Sequence, residues 1–83
     1  MKKGTAREML SSLMWRPDRD IGLVNVVYVH RGAPGDMASV HGKDIVSMSE
    51  MFMLISRDGK EVQIPFHRIR SIIYDGRSVF ERG

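Results

Sequence analysis

The 83-residue sequence contains no cysteine, few aromatic side chains and no long apolar run. Without cysteine, a disulfide framework and a thiolate metal site are excluded, and a reducing compartment is the simplest setting. No segment approaches the ~18 consecutive apolar residues that cross a membrane as a helix, and the N-terminal segment lacks the apolar region of a signal peptide. The sequence therefore predicts a soluble, cytoplasmic protein without membrane contact.

The composition predicts a single globular domain over residues 1–83. A chain of this length buries only about 60–65% of its unfolded surface, so it cannot build a second core. Hydrophobic residues make up 42% of the chain and charges of both signs are interspersed, unlike the composition of a disordered protein. The net charge of +3 is compatible with a polyanionic ligand, although many proteins that bind no nucleic acid carry a similar charge.

The first predicted element is an amphipathic helix over residues 5–16. Thr5 and Glu8 have the spacing of a capping box, in which each side chain accepts from a free backbone amide of the other residue. The helix must end near Arg16, because Pro17 has no amide hydrogen and disfavours helical geometry in the residue before it. Apolar residues recur at helical spacing between these ends: Ala6, Met9, Leu10, Leu13 and Met14.

Six later segments are predicted to be strands from their β-branched and aromatic content. They cover residues 23–30, 44–49, 51–56, 61–66, 69–74 and 78–82. The first segment is almost wholly apolar, which is typical of a central strand covered on both faces. Residues 31–42 are predicted to form an irregular loop, because glycine and proline interrupt the apolar pattern.

Two Asp-Gly dipeptides predict tight hairpin turns, since this pair readily adopts the positive φ values that such turns require. The first is Asp58-Gly59 and the second is Asp75-Gly76. The cross-strand pairs that follow are Ile55 with Val62, Met53 with Ile64, Ile72 with Val79 and, as an ion pair, Arg70 with Glu81.

These elements together predict an α+β fold. Several predicted strands are apolar on both faces, which is more surface than one helix can cover. We therefore expect the N-terminal helix to pack on a strongly curved, mainly antiparallel sheet of five or six strands, in the form of a small, partly closed barrel.

A His-Arg dipeptide occurs twice, each time where a predicted strand ends. His30 and Arg31 end the first strand, and His67 and Arg68 follow Pro65, which marks a corner in the chain. Arginine binds phosphate oxygens through a fork of N–H groups, and histidine can donate a hydrogen bond or exchange a proton near neutral pH. Each pair is a candidate phosphate site; the alternative is a histidine that bonds a nearby carbonyl beside an arginine in solvent.

The loop after the first pair contains further candidates. Gly32 and Gly35 permit backbone conformations in which successive N–H groups converge on an anion, and Pro34 stiffens the loop. The alternative is a plain connection in which glycine and proline only mark the turn.

His41 and Lys43 are possible accessory cations in the same region of the sequence. A solvent-exposed loop position is the simpler interpretation of both.

The three histidines have no close-paired ligand spacing, and the P-loop, serine-hydrolase and zinc-protease motifs are absent. The sequence therefore predicts no metal, no cofactor and no assigned catalytic residue.

The stretches VYVHRGAPGD and IPFHRI, with W-x-P after the helix, resemble a small archaeal domain family named the RNA cyclic group end recognition domain. The similarity extends from about Met9 to Arg82. It implies a domain that binds RNA ends carrying a cyclic phosphate, in RNA repair or processing. The residues that lie on matching motif positions are His30, Arg31, Gly32, Asp36, His67 and Arg68.

Two positions depart from the pattern of that family. Arg16 stands where many relatives have histidine, and Phe66 stands where tyrosine is common. If the imidazole or the phenol hydroxyl touches ligand in relatives, this chain binds its ligand differently. Both His-Arg pairs are intact.

The predicted function is a non-catalytic domain that binds an RNA end or nucleotide phosphate of the 2′,3′-cyclic type. Asp36 would orient Arg31 or a histidine, or accept from a ribose hydroxyl. One alternative is a phosphodiesterase or nuclease, in which two histidines act as general base and acid while an arginine or Lys43 stabilises charge. Another is an adaptor that contacts RNA-processing proteins through an apolar patch around MSEMFML.

Overall fold

The computed structural model describes residues 5–82, and its first element is a helix over Ala6–Trp15. The predicted capping box is present, because the Thr5 hydroxyl accepts from the Glu8 amide at 3.1 Å and the Glu8 carboxylate accepts from the Thr5 amide at 2.9 Å. The helix ends before Pro17, as predicted from the missing amide hydrogen. In the part of the chain that the structure describes, no helix has the length and apolar character needed to cross a membrane.

Seven strands follow the helix in residues 5–82 and form two antiparallel sheets. They are β1 (Val24–Val29), β2 (Met37–His41), β3 (Ile45–Met48), β4 (Phe52–Arg57), β5 (Lys60–Pro65), β6 (Ile69–Tyr74) and β7 (Arg77–Glu81). The four-stranded sheet has the order β2-β1-β6-β7, and the three-stranded sheet has the order β3-β4-β5. Short 3₁₀ turns precede or link strands at Ile21–Leu23, Pro34–Asp36, Gly42–Asp44 and Phe66–Arg68. The α+β class is confirmed.

The expected single curled sheet is replaced by two separate sheets, so the partly closed barrel is not confirmed. The chain leaves the four-stranded sheet at the Gly42–Asp44 turn and re-enters it at the Phe66–Arg68 turn. The first crossing needs glycine, because a Cβ on Gly42 would lie 2.7 Å from both the Ile21 carbonyl oxygen and the Val24 Cβ. This close approach of two backbone segments lets the chain turn sharply from one sheet to the other.

The prediction of an irregular loop over residues 31–42 was wrong at its C-terminal half, which contains β2. This strand pairs with β1 from Met37 opposite Val29 to His41 opposite Asn25. Its inward positions are Ala38 and Val40. Alanine and serine have low strand preference, so the sequence of residues 37–41 did not indicate a strand with alternating inward and outward side chains. The strand is recognised only from its pairing with β1.

One predicted hairpin register is confirmed and the other is wrong. Ile55 lies opposite Val62, and Met53 lies opposite Ile64, as expected. In the second hairpin a bulge shifts the pairing between Ile72 and Ile73. As a result the partners become Ile72 with Phe80 and Ser71 with Glu81, in place of Ile72 with Val79 and Arg70 with Glu81. Both turns have the expected positive φ at aspartate, 53° at Asp58 and at Asp75.

The core lies between the two sheets and the helix. Its buried members are Ala6, Leu10, Leu13, Val24, Val26, Tyr28, Val40, Ile45, Met53, Ile55, Ile64, Phe66, Ile69 and Ile72. Arg57 also joins the sheets, because its guanidinium donates to the Ser39 carbonyl at 2.6 Å and lies 5.8 Å from the Tyr28 ring centre. Full burial of one large aliphatic side chain stabilises the fold by about 1.5–3 kcal/mol, so this cluster supplies most of the driving force.

β1 buries only one of its two faces. Val24, Val26 and Tyr28 are buried, whereas the alternate residues of the strand are half-buried. The expectation of a strand covered on both faces is therefore wrong, although β1 does lie between two neighbours. The opposite face of the four-stranded sheet, which carries Val27 and Val29, is called the outer face below.

Candidate functional site

The two His-Arg pairs line the same open cleft, whose volume is about 540 Å³. Its walls are Val29, His30, Arg31, His67 and Arg68, and it is called the His-Arg cleft below. The pairs meet because β1 and β6 are antiparallel neighbours, with Tyr28 opposite Ile69. The C-terminal end of β1 therefore lies beside the N-terminal start of β6, so the residues after one strand meet those before the other.

The first corner of the cleft is a loop that closes on itself. The His30 amide donates to the Asp36 carbonyl at 2.8 Å, and the Ala33 amide donates to the His30 carbonyl at 3.2 Å. The Asp36 carboxylate accepts from the Gly32 amide at 3.2 Å. Gly32 has a φ of 94°, in a region that favours glycine, and Gly35 has a φ of 67°.

These bonds change the interpretation of the loop. The Gly32 amide was expected to help form an anion-binding nest, but it is occupied by the Asp36 carboxylate. Asp36 therefore closes the loop and does not pair with Arg31 in the part of the chain that is described. Gly32, Gly35 and Asp36 shape the corner, whereas the two side chains of the His-Arg pair form the wall.

The second corner of the cleft is the 3₁₀ turn Phe66–Arg68, which is held in place by the buried Phe66 ring and by two hydrogen bonds. Pro65 ends β5, as expected of a corner residue, and Phe66 is 7% exposed. The Phe66 amide donates to the Met51 carbonyl at 3.0 Å. The Arg82 guanidinium donates to the His67 carbonyl. Burial and these bonds direct the His67 and Arg68 side chains outward, where both are exposed.

The cations of the cleft are available to a ligand. Within residues 5–82, neither Arg31 nor Arg68 forms an ion pair or a side-chain hydrogen bond. The His30 ring packs edge-on against the buried Tyr28 ring, with 6.2 Å between ring centres. Two guanidinium groups and two imidazoles at one cleft provide many hydrogen-bond donors for a single anion.

His41 and Lys43, the accessory candidates, lie outside the His-Arg cleft. His41 pairs with Asn25, at the far end of the ladder in which Met37 pairs with Val29. Those ends are four positions apart along the strand, about 13 Å at the usual rise. His41 instead lines a smaller groove with other polar residues, and Lys43 lies in the turn that leads to β3.

Three residues at this site were not among the predicted site residues. Val29 supplies an apolar wall, Tyr28 packs against the His30 ring, and Arg82 holds the second corner. Val29 and Tyr28 adjoin the first pair in the sequence, so their proximity was visible. The contact of Arg82 depends on the bulged pairing of β7 with β6, which short-range spacing does not predict.

The segment proposed as an adaptor surface is only partly exposed. Met51 is 75% exposed, but Met53 is buried and Phe52 and Leu54 are half-buried.

Among the residues from 5 to 82, no group of three His, Asp or Glu side chains is arranged to hold a metal ion.

A family model described as the MJ1316 RNA cyclic group end recognition domain matches residues 1–82. A UPF0248 protein of Methanococcus maripaludis strain C7 is 36% identical over 67 residues, covering 81% of this chain and 82% of the relative. A UPF0248 protein of Thermococcus onnurineus is 29% identical over 82 residues, covering 98% of this chain and 88% of the relative.

A third relative, from Pyrococcus abyssi, is 29% identical over 82 residues, with 98% of this chain and 93% of that UPF0248 protein covered. No solved structure matches the chain. The family match spans both His-Arg corners and confirms the resemblance drawn from their motifs. The protein therefore belongs to the MJ1316 RNA cyclic group end recognition domain family.

Proposed function

We propose that the protein binds RNA ends that carry a 2′,3′-cyclic phosphate, and that the phosphate occupies the His-Arg cleft. The observation that carries the proposal is the convergence of His30, Arg31, His67 and Arg68 on one open cleft. The name of the family, which refers to recognition of RNA cyclic group ends, agrees with such a ligand.

The chemistry of the cleft suits a compact monoanion. A 2′,3′-cyclic phosphate has two free oxygens on phosphorus, and each guanidinium can place a fork of N–H groups on them. The imidazoles of His30 and His67 can donate to the same oxygens or to the ribose oxygens of the ring. Val29 offers an apolar surface to the ribose. At about 540 Å³, the cleft falls within the usual range for small-molecule sites, about 300–1,000 Å³.

The loop that carries the first pair contributes rigidity. Gly32 and Asp36 hold the turn by the bonds described above, and Gly35 adopts the positive φ that the turn requires, so Arg31 starts from a restricted backbone. A restricted backbone lowers the entropy lost on binding. These three residues belong to the proposed site as its support.

The binding test compares one short RNA with three different 3′ ends. An oligonucleotide ending in a 2′,3′-cyclic phosphate, its 3′-hydroxyl counterpart and its 3′-phosphate counterpart are titrated by fluorescence anisotropy. We expect the cyclic end to bind at least about tenfold more tightly than the hydroxyl end, since a charged hydrogen bond contributes about 1.5–3 kcal/mol. Equal affinity for the cyclic and hydroxyl ends would contradict the proposal.

Variants of the two arginines test the cleft itself. Arg31→Ala and Arg68→Ala should each weaken binding of the cyclic end by about tenfold, as each removes charged hydrogen bonds to phosphate. The matched control is Arg77→Ala, because Arg77 is an exposed arginine beside the Asp75-Gly76 turn and outside the cleft. If all three variants behave alike, the effect is one of net charge and the cleft is not the site.

A second candidate function is hydrolysis of the cyclic phosphate, favoured by the presence of two imidazoles in one cleft. One histidine would take a proton from water as it attacks phosphorus, and the other would protonate the departing ribose oxygen, leaving a phosphomonoester and a hydroxyl. Within residues 5–82, neither imidazole is held by a carboxylate, the group that commonly orients a catalytic histidine.

Incubation of the protein with cytidine 2′,3′-cyclic phosphate separates the two functions. Ring opening that is lost in both His30→Ala and His67→Ala would establish the enzyme. Intact ligand that elutes with the protein would establish the binding domain.

A further inference from the structure

A second groove lies on the outer face, beside the His-Arg cleft. It has a volume of about 500 Å³ and is lined by Met37, Arg70, Ser71, Glu81 and Arg82. We call it the outer-face groove. It combines three strands of the four-stranded sheet, since its walls come from β2, from β6 and from the end of β7 and the residue that follows it.

Three links join residues of the cleft to residues of the groove. Met37 of the groove is the direct cross-strand partner of Val29 of the cleft. Arg82 of the groove donates through its guanidinium to the carbonyl of His67, which lines the cleft. Arg70 of the groove follows Arg68 of the cleft by two positions in the chain. The cleft and the groove therefore adjoin where Val29 of β1 pairs with Met37 of β2.

The side chains of the groove match the parts of one ribonucleotide. Arg70 and Arg82 provide positive charge for a backbone phosphate, and Met37 continues the apolar surface of Val29 toward a base. Glu81 and Ser71 are direct cross-strand partners and adjoin the two arginines, since Ser71 follows Arg70 and Glu81 precedes Arg82 in the chain. The Glu81 carboxylate is unfavourable beside a phosphate, but it can accept a hydrogen bond from a ribose 2′-hydroxyl.

We infer that the outer-face groove binds the nucleotide on the 5′ side of the cyclic end, so the protein recognises a dinucleotide. The inference rests on the proposed function of the His-Arg cleft. The internucleotide phosphate lies by Arg70 and Arg82, and the 2′-hydroxyl of the penultimate ribose lies by Glu81. Recognition therefore extends along the RNA on the outer face of the sheet.

Arg70 is the better residue for a test than Arg82. Arg82 also supports the His67 corner, so its replacement would change both sites. Arg70 is exposed and does not line the cleft. The matched control is Arg77, because it is an exposed arginine of the same sheet that lines neither site.

The experiment measures affinity by calorimetry for two probes, cytidine 2′,3′-cyclic phosphate and the dinucleotide CpC ending in a 2′,3′-cyclic phosphate. We expect the dinucleotide to bind the native protein about tenfold more tightly, the effect of one added charged hydrogen bond. Arg70→Gln should remove most of that gain while leaving the mononucleotide affinity within about twofold. Arg77→Gln should leave both affinities unchanged.

A second variant tests the groove independently of Arg70. Met37→Glu places a carboxylate on the wall between the sites, and should weaken dinucleotide binding by about fivefold or more through repulsion of the phosphate. Met37 is half-buried on an edge strand, so the unfolding midpoint of the variant is measured to show that the fold persists. A folded Met37→Glu protein with native dinucleotide affinity would overturn the inference.

The outcomes separate the inference from the function on which it rests. One outcome is that the native protein prefers the cyclic mononucleotide to cytidine but binds the dinucleotide no more tightly than the mononucleotide. That result overturns the inference about the groove and leaves the proposed function of the cleft intact. Equal weakening of both probes by Arg70→Gln also overturns the groove as a separate site. If the native protein does not prefer the cyclic mononucleotide to cytidine, both proposals fail.

Discussion

The corner that carries His30 and Arg31 and the corner that carries His67 and Arg68 are built by different means. The first is a short loop whose bonds lie mostly within residues 30–36. The second is a single 3₁₀ turn pinned by the burial of Phe66 and by contacts from Met51 and Arg82, which lie far away in the sequence.

This difference shows that one wall of the cleft is held by hydrogen bonds within a short loop, whereas the other is held by contacts with residues distant in the sequence. The first corner depends on backbone conformations that only a few residue types adopt, so it can be disturbed while the rest of the domain stays folded. The second corner depends on the hydrophobic core, so damage to it also reduces the stability of the whole chain. Three substitutions test this distinction.

The largest effect is expected from Phe66→Ala, which removes the anchor of the second corner. Because the ring is almost fully buried, its loss should lower the free energy of unfolding by about 3–5 kcal/mol, including the cost of the cavity. Denaturant unfolding followed by circular dichroism measures the change. Phe80→Ala is the control, and its loss should be smaller since Phe80 is only half-buried. A loss below about 1 kcal/mol for Phe66→Ala would show that the corner does not depend on the core.

An intermediate effect is expected from Gly32→Ala in the first corner. A Cβ there would meet no atom within 4 Å, so the cost is conformational, about 1–2 kcal/mol for a positive φ. Gly76→Ala is a matched control, because Gly76 has a φ of 79° and equally open surroundings. We expect similar losses of stability but weaker binding of the cyclic RNA end only for Gly32→Ala. Equal binding by both variants would mean that the loop does not position Arg31.

The smallest effect is expected from Asp36→Asn. The amide oxygen of asparagine can still accept from the Gly32 amide, and asparagine tolerates the φ of 57° observed at this position. Both the free energy of unfolding, within about 0.5 kcal/mol, and the affinity for the cyclic end should therefore be nearly unchanged. A tenfold loss of affinity would instead place the carboxylate in contact with the ligand, as the sequence pattern allowed.

The local elements of the fold were predictable because their signals are short. Thr5 with Glu8 set the start of the helix, Pro17 followed its end, and the Asp-Gly pairs set both hairpin turns. Errors arose where a second segment decides the outcome. β2 gains its strand conformation from pairing with β1, and the bulge that leaves Val79 unpaired in the β6–β7 ladder changes which residues face each other.

The candidate site divides in the same way. The His-Arg pairs stood out because two basic donors follow a strand end, and the family motif pointed to the same residues. The Gly32 amide, which was expected to take part in an anion-binding nest, donates to the Asp36 carboxylate of the same loop, a contact that the spacing of the residues did not reveal. His41 is near the first pair in the sequence, but β2 carries it to the other end of the β1–β2 ladder.

The sequence alone determined that two cationic corners exist. Each corner is a pair of adjacent basic residues placed where a predicted strand ends. Only the tertiary structure decided that the corners line one cleft, that Arg82 supports one of them and that a second groove lies beside the cleft. The physical reason is that antiparallel pairing of β1 with β6 is a long-range interaction. Its free energy comes from the shared core, which no short stretch of sequence contains.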